Sequence, residues 1–275
     1  MLRFTFSNNK VNYIRYSNVI LQRFLSTQPS PKTSLTSSLP VGTGLSTVKT
    51  SSNLPVLYES SLLSRIKLKL GLQGELRESQ KVLYQAAAIS YYMIGSSVDF
   101  GGIQRELEMP DVFASFGRII FLHIWFLLVR YIQLGPTGIF LRQQLARIMW
   151  MDLDLRAQQI LPGQGKTRRS QLEELRSEMN AFMLALDEGV VDDDTVLAAA
   201  VWRHFCHFQP TPLERLVKMV AYIRKNVQHI EQLPEENFMK NGYIYFLPLH
   251  GDVVDTKFVN QHYLDFKNKA RGSIK

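Results

Sequence analysis

The sequence predicts an all-α protein: one helical bundle domain, a short extended segment near its C-terminal end and a disordered N-terminal segment. From residue 59 onward, apolar residues recur at the spacing of helix faces, and glycine or proline clusters separate one run from the next. Only residues 242–249, GYIYFLPL, are typical of an extended stretch. We place the bundle at residues 59–250, between an N-terminal segment of residues 1–58 and a polar, basic tail of residues 251–275.

Six helices follow from these runs. The first is rich in alanine, and Gly95–Gly102 interrupts the chain after it. Pro110 stands at the start of the second, a position that tolerates proline. Gly135 and Pro136 separate the second helix from the third, which ends before the glycine-containing stretch 161–165. The predicted helices cover about residues 75–94, 110–134, 137–158, 172–189, 195–202 and 213–230.

The later helices carry the clearest signals. Gly189 is a typical helix stop, and Asp192–Asp194 can cap the amides of the next helix and complement its dipole. Ala198–Ala200 suggests close approach to a neighbouring helix. Two apolar stripes repeat at helical spacing. They consist of Leu172, Leu175, Met179, Phe182 and Leu186, and of Leu213, Leu216, Val217, Val220, Ile223, Val227 and Ile230.

Residues 1–58 have the composition of a mitochondrial import presequence. No acidic residue precedes Glu59, while this segment holds six basic residues and seventeen serines or threonines. Residues 1–25 would form a helix with an apolar and a basic face. Residues 26–55 have no hydrophobic period, as in a disordered linker. An ordinary disordered tail is the alternative interpretation.

The formal charge of +8 comes mainly from this segment. Without it, 26 basic residues face 24 acidic residues, so the charge is weak support for nucleic-acid binding. The single cysteine, Cys206, excludes an internal disulfide and a cysteine-based zinc site. The most apolar run, residues 119–129, contains His123 and covers about half of a bilayer, so we predict a buried core helix.

Gly163–Thr167, GQGKT, resembles the end of a phosphate-binding loop. The full motif requires glycine where Ile160 stands and a preceding strand, whereas this stretch follows a predicted helix. We therefore predict a solvated loop between helices. Lys166, Arg168 and Arg169 form a candidate basic contact patch, with simple solubility as the alternative.

Three histidines and one acidic run are the candidates for a metal or haem site. His204 and His207 are three residues apart and could share a helix face, but two ligands without partners are a weak signal for metal or haem. His123 on an apolar helix is typical of a structural histidine. Asp192–Asp194 precedes a helix, which favours capping over magnesium binding. We predict no metal, no cofactor and no enzymatic activity.

Polar and apolar residues share one arc of the 110–134 helix. We predict that it is the central helix of the bundle; the alternative is a partly exposed groove for an apolar client helix. The arc contains Asp111, Ser115, Arg118, Ile119, Leu122, His123, Phe126, Val129, Arg130 and Gln133.

The chain resembles the ubiquinol–cytochrome c chaperone family over about residues 58–250. The resemblance rests on MPDVFASF at 109–116, LHIWFLLVR at 122–130, DEGVVDDD at 187–194 and LAAAVWR at 197–203. The 213–230 helix and the late 242–249 segment also fit. The family motifs mark no active-site residues. The candidate client-binding or fold-maintaining residues are Pro110, Asp111, Leu122, His123, Trp125, Phe126, Arg130, Trp202 and Arg203.

This resemblance implies an assembly chaperone for the mitochondrial cytochrome bc1 complex, complex III. Family members act at the matrix side of the inner membrane, pair with a smaller assembly factor and associate with the mitochondrial ribosome. They receive newly made cytochrome b and support its stability and maturation. Two alternatives remain: a ribosome- or membrane-associated helical scaffold with another client, and a haem-binding protein using His123, His204 or His207.

Overall fold

The computed structural model describes residues 74–251 and 253–272, so the predicted presequence and linker lie outside the described residues. Within these ranges the chain forms helices and no β-strand, which confirms the predicted all-α fold. The helices are α1 (Gly74–Ser97), α2 (Phe100–Glu106), α3 (Phe113–Ile132), α4 (Gly135–Ile160), α5 (Gly165–Val191), α6 (Asp194–His204), α7 (Leu213–Gln232), a π-helical segment (Asn237–Asn241) and α8 (Thr256–Gly272).

Helix α3 lies at the centre of the bundle and packs against α1, α2, α4, α5 and α7. Sixteen of its twenty residues are buried, which confirms the prediction of a core helix. Within the described residues, α3 is the one helix long and apolar enough to cross a membrane, and 83% of its most apolar window is covered by the rest of the protein. Around it, α5 and α6 form a closely packed pair, and α6 also packs against α7. Helix α1 packs against α4 and the π-helical segment.

Helix α6 begins where the acidic run predicted. The Asp193 carboxylate accepts hydrogen bonds from the amides of Thr195 and Val196, at 2.8 and 3.1 Å. These bonds satisfy amide groups that no preceding turn can reach. The prediction of a capping role for this run is therefore confirmed for Asp193.

Two sequence signals at helix ends have a different meaning in the structure. Helix α5 continues past Gly189 to Val191, so this glycine does not stop the helix. A side chain at Gly189 would lie 2.8 Å from the Cα of Leu197, and glycine therefore permits the close packing of α5 on α6. Pro110 lies ahead of α3 rather than in its first turn, because the helix begins at Phe113.

The stripe predicted on the last helix of the bundle is only partly buried. Val220, Ile223 and Ile230 of this stripe are buried, whereas Leu213 and Val217 at the start of α7 are exposed. Sequence periodicity identified the helix, but Leu213 and Val217 lie on the side of its first two turns that faces solvent.

The C-terminal part of the described chain contains two helical elements that we did not predict, the π-helical segment and α8. The 242–249 segment is irregular, and buried Asn226 on α7 holds it by accepting a 2.8 Å hydrogen bond from the Leu247 amide. Beyond it, α8 packs on α1, with Phe266 stacked on Tyr92 at a ring distance of 3.9 Å. The residue 250 boundary between bundle and tail stays a prediction.

Substitution of Gly138 by alanine is expected to destabilise the protein by about 2 kcal/mol. A Cβ atom at this position would overlap the carbonyl oxygen of Tyr131, where α3 turns into α4. Gly165, at the start of α5, has nothing within 4 Å of its Cβ position, so Gly165→Ala is the control and should be neutral or slightly stabilising. Urea denaturation of both variants checks this; equal midpoints would contradict it.

Candidate functional site

A cleft of about 380 Å³ opens between α3, α5 and the C-terminal end of α6. We call it the α5 groove, because one face of α5 supplies most of its floor. Its lining residues are Arg118, Phe121, Glu178, Ala181, Phe182, Leu184, Ala185, Glu188, Arg203, His204, His207 and Phe208.

The floor of the α5 groove follows from helical periodicity. Glu178, Ala181, Phe182, Ala185 and Glu188 are spaced by three or four residues and therefore share one face of α5. Ten residues of α-helix separate the two glutamates, which corresponds to about 15 Å along the axis. The groove is thus an elongated trough with two alanines in its floor and a carboxylate at each end.

The turn after α6 forms one wall of the groove. His207 and Phe208 both have positive φ angles, 50° and 61°, a conformation that residues other than glycine adopt at a cost. The Trp202 indole holds this turn, since its Nε1 donates a 2.8 Å hydrogen bond to the Gln209 carbonyl and its ring contacts Phe208. The result is a Phe208 side chain that is 61% exposed at the rim.

Some charged side chains of the groove form an ion pair, and others do not. Arg118 Nη2 donates a 2.8 Å hydrogen bond to Glu178 Oε2, and this ion pair closes one end. Arg203 is exposed, and its Nε donates a long 3.3 Å hydrogen bond to the Ala199 carbonyl. Burial lowers the pKa of His204 and of His207, which favours their neutral forms at pH 7. Arg203 therefore provides a positive charge at the rim that is not part of the Arg118–Glu178 ion pair.

His123 lies deep in the bundle and uses both ring nitrogens. Nδ1 lies 2.7 Å from the Ile119 carbonyl oxygen, which can only accept, so Nδ1 carries the proton. Nε2 lies 2.6 Å from the Tyr222 hydroxyl oxygen and accepts a hydrogen bond from that hydroxyl. Burial lowers the pKa of His123 to about 4. This arrangement is that of a structural histidine, and it leaves neither nitrogen for a haem iron.

His123 gives folding stability a defined pH dependence. Because its folded pKa of about 4 lies below the ordinary 6.5, the unfolded chain binds the proton first as the pH falls. Its contribution is complete above pH 6.5 and decreases by about 3 kcal/mol towards pH 4. We expect the stability gap between the wild-type chain and His123→Gln to narrow over this interval, measured by urea denaturation at each pH. A constant gap would contradict the assignment.

Two of the segments that carry the family resemblance meet through a tryptophan. Trp125 on α3 is buried, and its Nε1 donates a 2.7 Å hydrogen bond to the carboxylate of Asp187 on α5. The bond joins LHIWFLLVR to DEGVVDDD across 62 residues of sequence. These motifs therefore meet in space close to the groove, on the same two helices.

Comparison with known proteins agrees with this arrangement. The sequence profile of the family described as ubiquinol-cytochrome C chaperone matches residues 105–245, just over half of the chain. The chain belongs to this family. The match spans α3 to α7 together with the 242–245 stretch, and it contains every residue that lines the α5 groove.

Named relatives and one solved structure are similar to the chain. Ubiquinol-cytochrome c reductase complex assembly factor 1 of Drosophila melanogaster is 28% identical over 207 residues, covering 74% of this chain and 79% of that protein. Protein CBP3, mitochondrial, of Saccharomyces cerevisiae is 27% identical over 147 residues, 52% of this chain and 44% of the yeast protein. The crystal structure of the Cbp3 homolog from Brucella abortus aligns with a TM-score of 0.48 and 18% identity, over 70% of this chain and all of that one.

The candidate residues divide by location. Leu122, His123, Trp125, Phe126 and Arg130 are buried in α3, where a client cannot reach them in this conformation. Arg130 donates to Gln133 and lies over the ring of Phe238. Pro110 and Asp111 lie in the turn between α2 and α3. Trp202 and Arg203 are accessible, and both shape the α5 groove. Client binding or fold maintenance as the role of each of these residues stays a prediction.

The candidate basic patch lies at the start of α5. The GQGKT stretch leads into this helix, and Lys166 and Thr167 already belong to its first turn rather than to a loop. Lys166 and Arg169 are exposed, whereas Arg168 pairs with Asp154 at 3.1 Å. The patch therefore presents two unpaired cations and one that is partly neutralised.

The sequence did not reveal several groove residues. Glu178, Leu184 and Phe208 carried no motif, and Arg118 pairs with Glu178 across 60 residues. A search for the polar side of the 172–186 stripe would have found Glu178, but not its partner. In the described residues no cluster of three or more histidine, cysteine, aspartate or glutamate side chains could hold a metal ion.

Proposed function

We propose that the protein is an assembly chaperone of mitochondrial complex III that binds newly made cytochrome b. It acts at the matrix side of the inner membrane, near the mitochondrial ribosome and together with a smaller assembly factor. It works by binding and release, without a chemical step of its own. The observation that carries the proposal is membership of the ubiquinol–cytochrome c chaperone family, with relatives named as assembly factors of that complex.

The physical character of the chain supports this role. A membrane protein that awaits insertion exposes apolar helices, which aggregate in water unless another surface covers them. The α5 groove offers an elongated surface with exposed Leu184 and Phe208 at its rim, on a bundle whose own core is closed. The presequence-like composition of residues 1–58 supports the mitochondrial location.

Removal of the protein from its host tests the proposal. We expect cytochrome b to be synthesised at a normal rate, to decay faster in a pulse-chase experiment and to be missing from complex III on native gels. Other respiratory complexes provide the control. Normal complex III in the absence of the protein would refute the proposal. Ribosome association together with normal cytochrome b maturation would favour a scaffold for another client.

The basic patch provides a separate test of ribosome or membrane contact. Charge reversal at Lys166, Arg168 and Arg169 should release the protein from mitochondrial ribosomes or from the membrane fraction, since each cation near an anionic surface contributes about 1 kcal/mol. Co-sedimentation of the variant with ribosomes and with membranes measures both contacts. Unchanged association would remove this patch from the proposal without affecting client binding.

A further inference from the structure

We propose that the α5 groove is the client site, and that it receives one apolar α-helix about three turns long with an acidic side chain placed against Arg203. This inference rests on the proposed chaperone function and assigns that function to a surface. It also assigns the chemistry of the occupant: a segment of a membrane protein in helical form, with one carboxylate at its edge.

The shape of the groove indicates a helix. Its floor runs for about 15 Å along α5, which is the length of ten helical residues. Ala181 and Ala185 form the middle of this floor, and small side chains allow the backbone of a second helix to approach closely. A long trough with a shallow alanine floor is a better match for a rod than for a compact small molecule.

The rim indicates that the occupant is apolar. Leu184 and Phe208 are about 60% exposed, and both line the groove. Phe208 is held outward by two consecutive residues with positive φ, and a strained conformation persists only where the surrounding structure maintains it. A client helix would cover these two large apolar side chains together with the apolar middle of the floor, which Ala181, Phe182 and Ala185 form.

The charges of the groove indicate which charged side chain the client helix carries. Glu178 is neutralised by Arg118 at one end, and Glu188 lies at the other end. Arg203 lies at the rim with its weak contact to Ala199. Arg203 makes no ion pair within the described residues, so an acidic residue is favoured over a basic one at the client position that lies against Arg203. Glu188 disfavours a second acidic residue at the other end of the groove.

Site-specific crosslinking of the full chain in translating mitochondria tests the site. A photoreactive residue at Leu184 should crosslink newly made cytochrome b, whereas one at Ile139 should not, although Ile139 on α4 is 58% exposed and apolar as well. Ala181→Trp fills the exposed floor and should reduce the Leu184 crosslink at least fivefold. Gln143→Trp, at an exposed position of α4 outside the groove, is the matched control and should leave it unchanged.

The outcomes separate this inference from the function on which it rests. Crosslinks at Ile139 but not Leu184, or a Leu184 crosslink that survives Ala181→Trp, would overturn the groove assignment and leave the chaperone function in place. Absence of cytochrome b from both positions, combined with normal complex III in cells that lack the protein, would refute the function itself.

A binding experiment tests the charge preference. The probes are two labelled helical peptides of leucine, alanine and phenylalanine, identical except for one central aspartate or lysine, and the readout is fluorescence anisotropy. The full chain should bind the aspartate peptide three- to fivefold more tightly, and Arg203→Glu should reverse the preference. Arg147→Glu, at an exposed position of α4 outside the groove, should preserve it. Equal affinities, or a preference unchanged by Arg203→Glu, would contradict the role of Arg203.

Discussion

Replacement of Asp152 by alanine is expected to lower the free energy of unfolding by about 3 to 5 kcal/mol. Asp152 on α4 is fully buried, and its carboxylate accepts hydrogen bonds from Arg156 Nε at 2.9 Å and from the Tyr91 hydroxyl at 2.7 Å. The Arg156 guanidinium also lies 5.0 Å from the centre of the Phe116 ring on α3. Loss of the carboxylate would leave a positive charge in the core without its counter-ion.

The control for Asp152 is an ion pair with the same spacing at the surface. Glu236 and Lys240 are also four residues apart, but their side chains are 62% and 36% exposed, so Glu236→Ala should cost less than about 0.5 kcal/mol. The double variant Asp152→Leu with Arg156→Met should recover much of the loss, because it removes both charges. Urea denaturation of all variants provides the measurement. A double variant no more stable than Asp152→Ala would argue against an uncompensated charge as the cause.

Replacement of Trp125 by alanine is expected to cost a similar amount, about 3 to 5 kcal/mol. The indole is buried between α3 and its neighbours, and it donates to Asp187 on α5. Trp125→Phe keeps most of the ring and loses the hydrogen bond, so its cost should be about 1 to 2 kcal/mol. Thermal or urea denaturation gives these values, and complex III levels in cells give the functional consequence.

Trp202 provides the comparison for Trp125, because it is the tryptophan of the second motif, LAAAVWR. It is only partly buried, so Trp202→Ala should destabilise the protein less than Trp125→Ala. If Trp125 maintains the fold, complex III should fall with Trp125→Ala and persist with Trp125→Phe. If complex III is lost with Trp125→Phe while the fold remains stable, the residue has a role beyond packing.

Sequence patterns predicted the long helices of the bundle core because each of these has an apolar face or a clear boundary signal. They predicted the cap at Asp193 for the same reason: a cap depends on residues next to each other in the chain. They missed α2, which begins inside the 95–102 stretch that we expected to interrupt the helices and which buries Phe100 and Ile103. Periodicity could not show that Gly189 serves close packing, or that Leu213 and Val217 lie outside the core. Those properties depend on which helix lies opposite, and no single segment encodes that.

The site was less accessible to sequence reasoning than the fold. The family resemblance marks Arg203 and residue type marks the two histidines of the groove, whereas no sequence pattern marks Glu178 or Phe208. The pairs Arg118–Glu178, Trp125–Asp187 and Tyr91–Asp152 each join residues about 60 positions apart. The short spacing of Asp152 and Arg156 is visible in the sequence, but it looks like any solvated pair until the burial of both is known.

The composition of α3 has a consequence for the route by which this protein reaches its folded state. Before the bundle closes, α3 is a twenty-residue apolar segment that a lipid bilayer could also accommodate. Arg118 and Arg130 lie near its ends, where long side chains can extend to the headgroups, and His123 lies near its middle. We therefore expect insertion into a bilayer to compete with folding for this helix. The folded bundle is stabilised against insertion by the hydrogen bonds of His123 to Ile119 and Tyr222 and by the ion pair of Arg118. We expect any variant that slows closure of the bundle to be found increasingly in the membrane pellet.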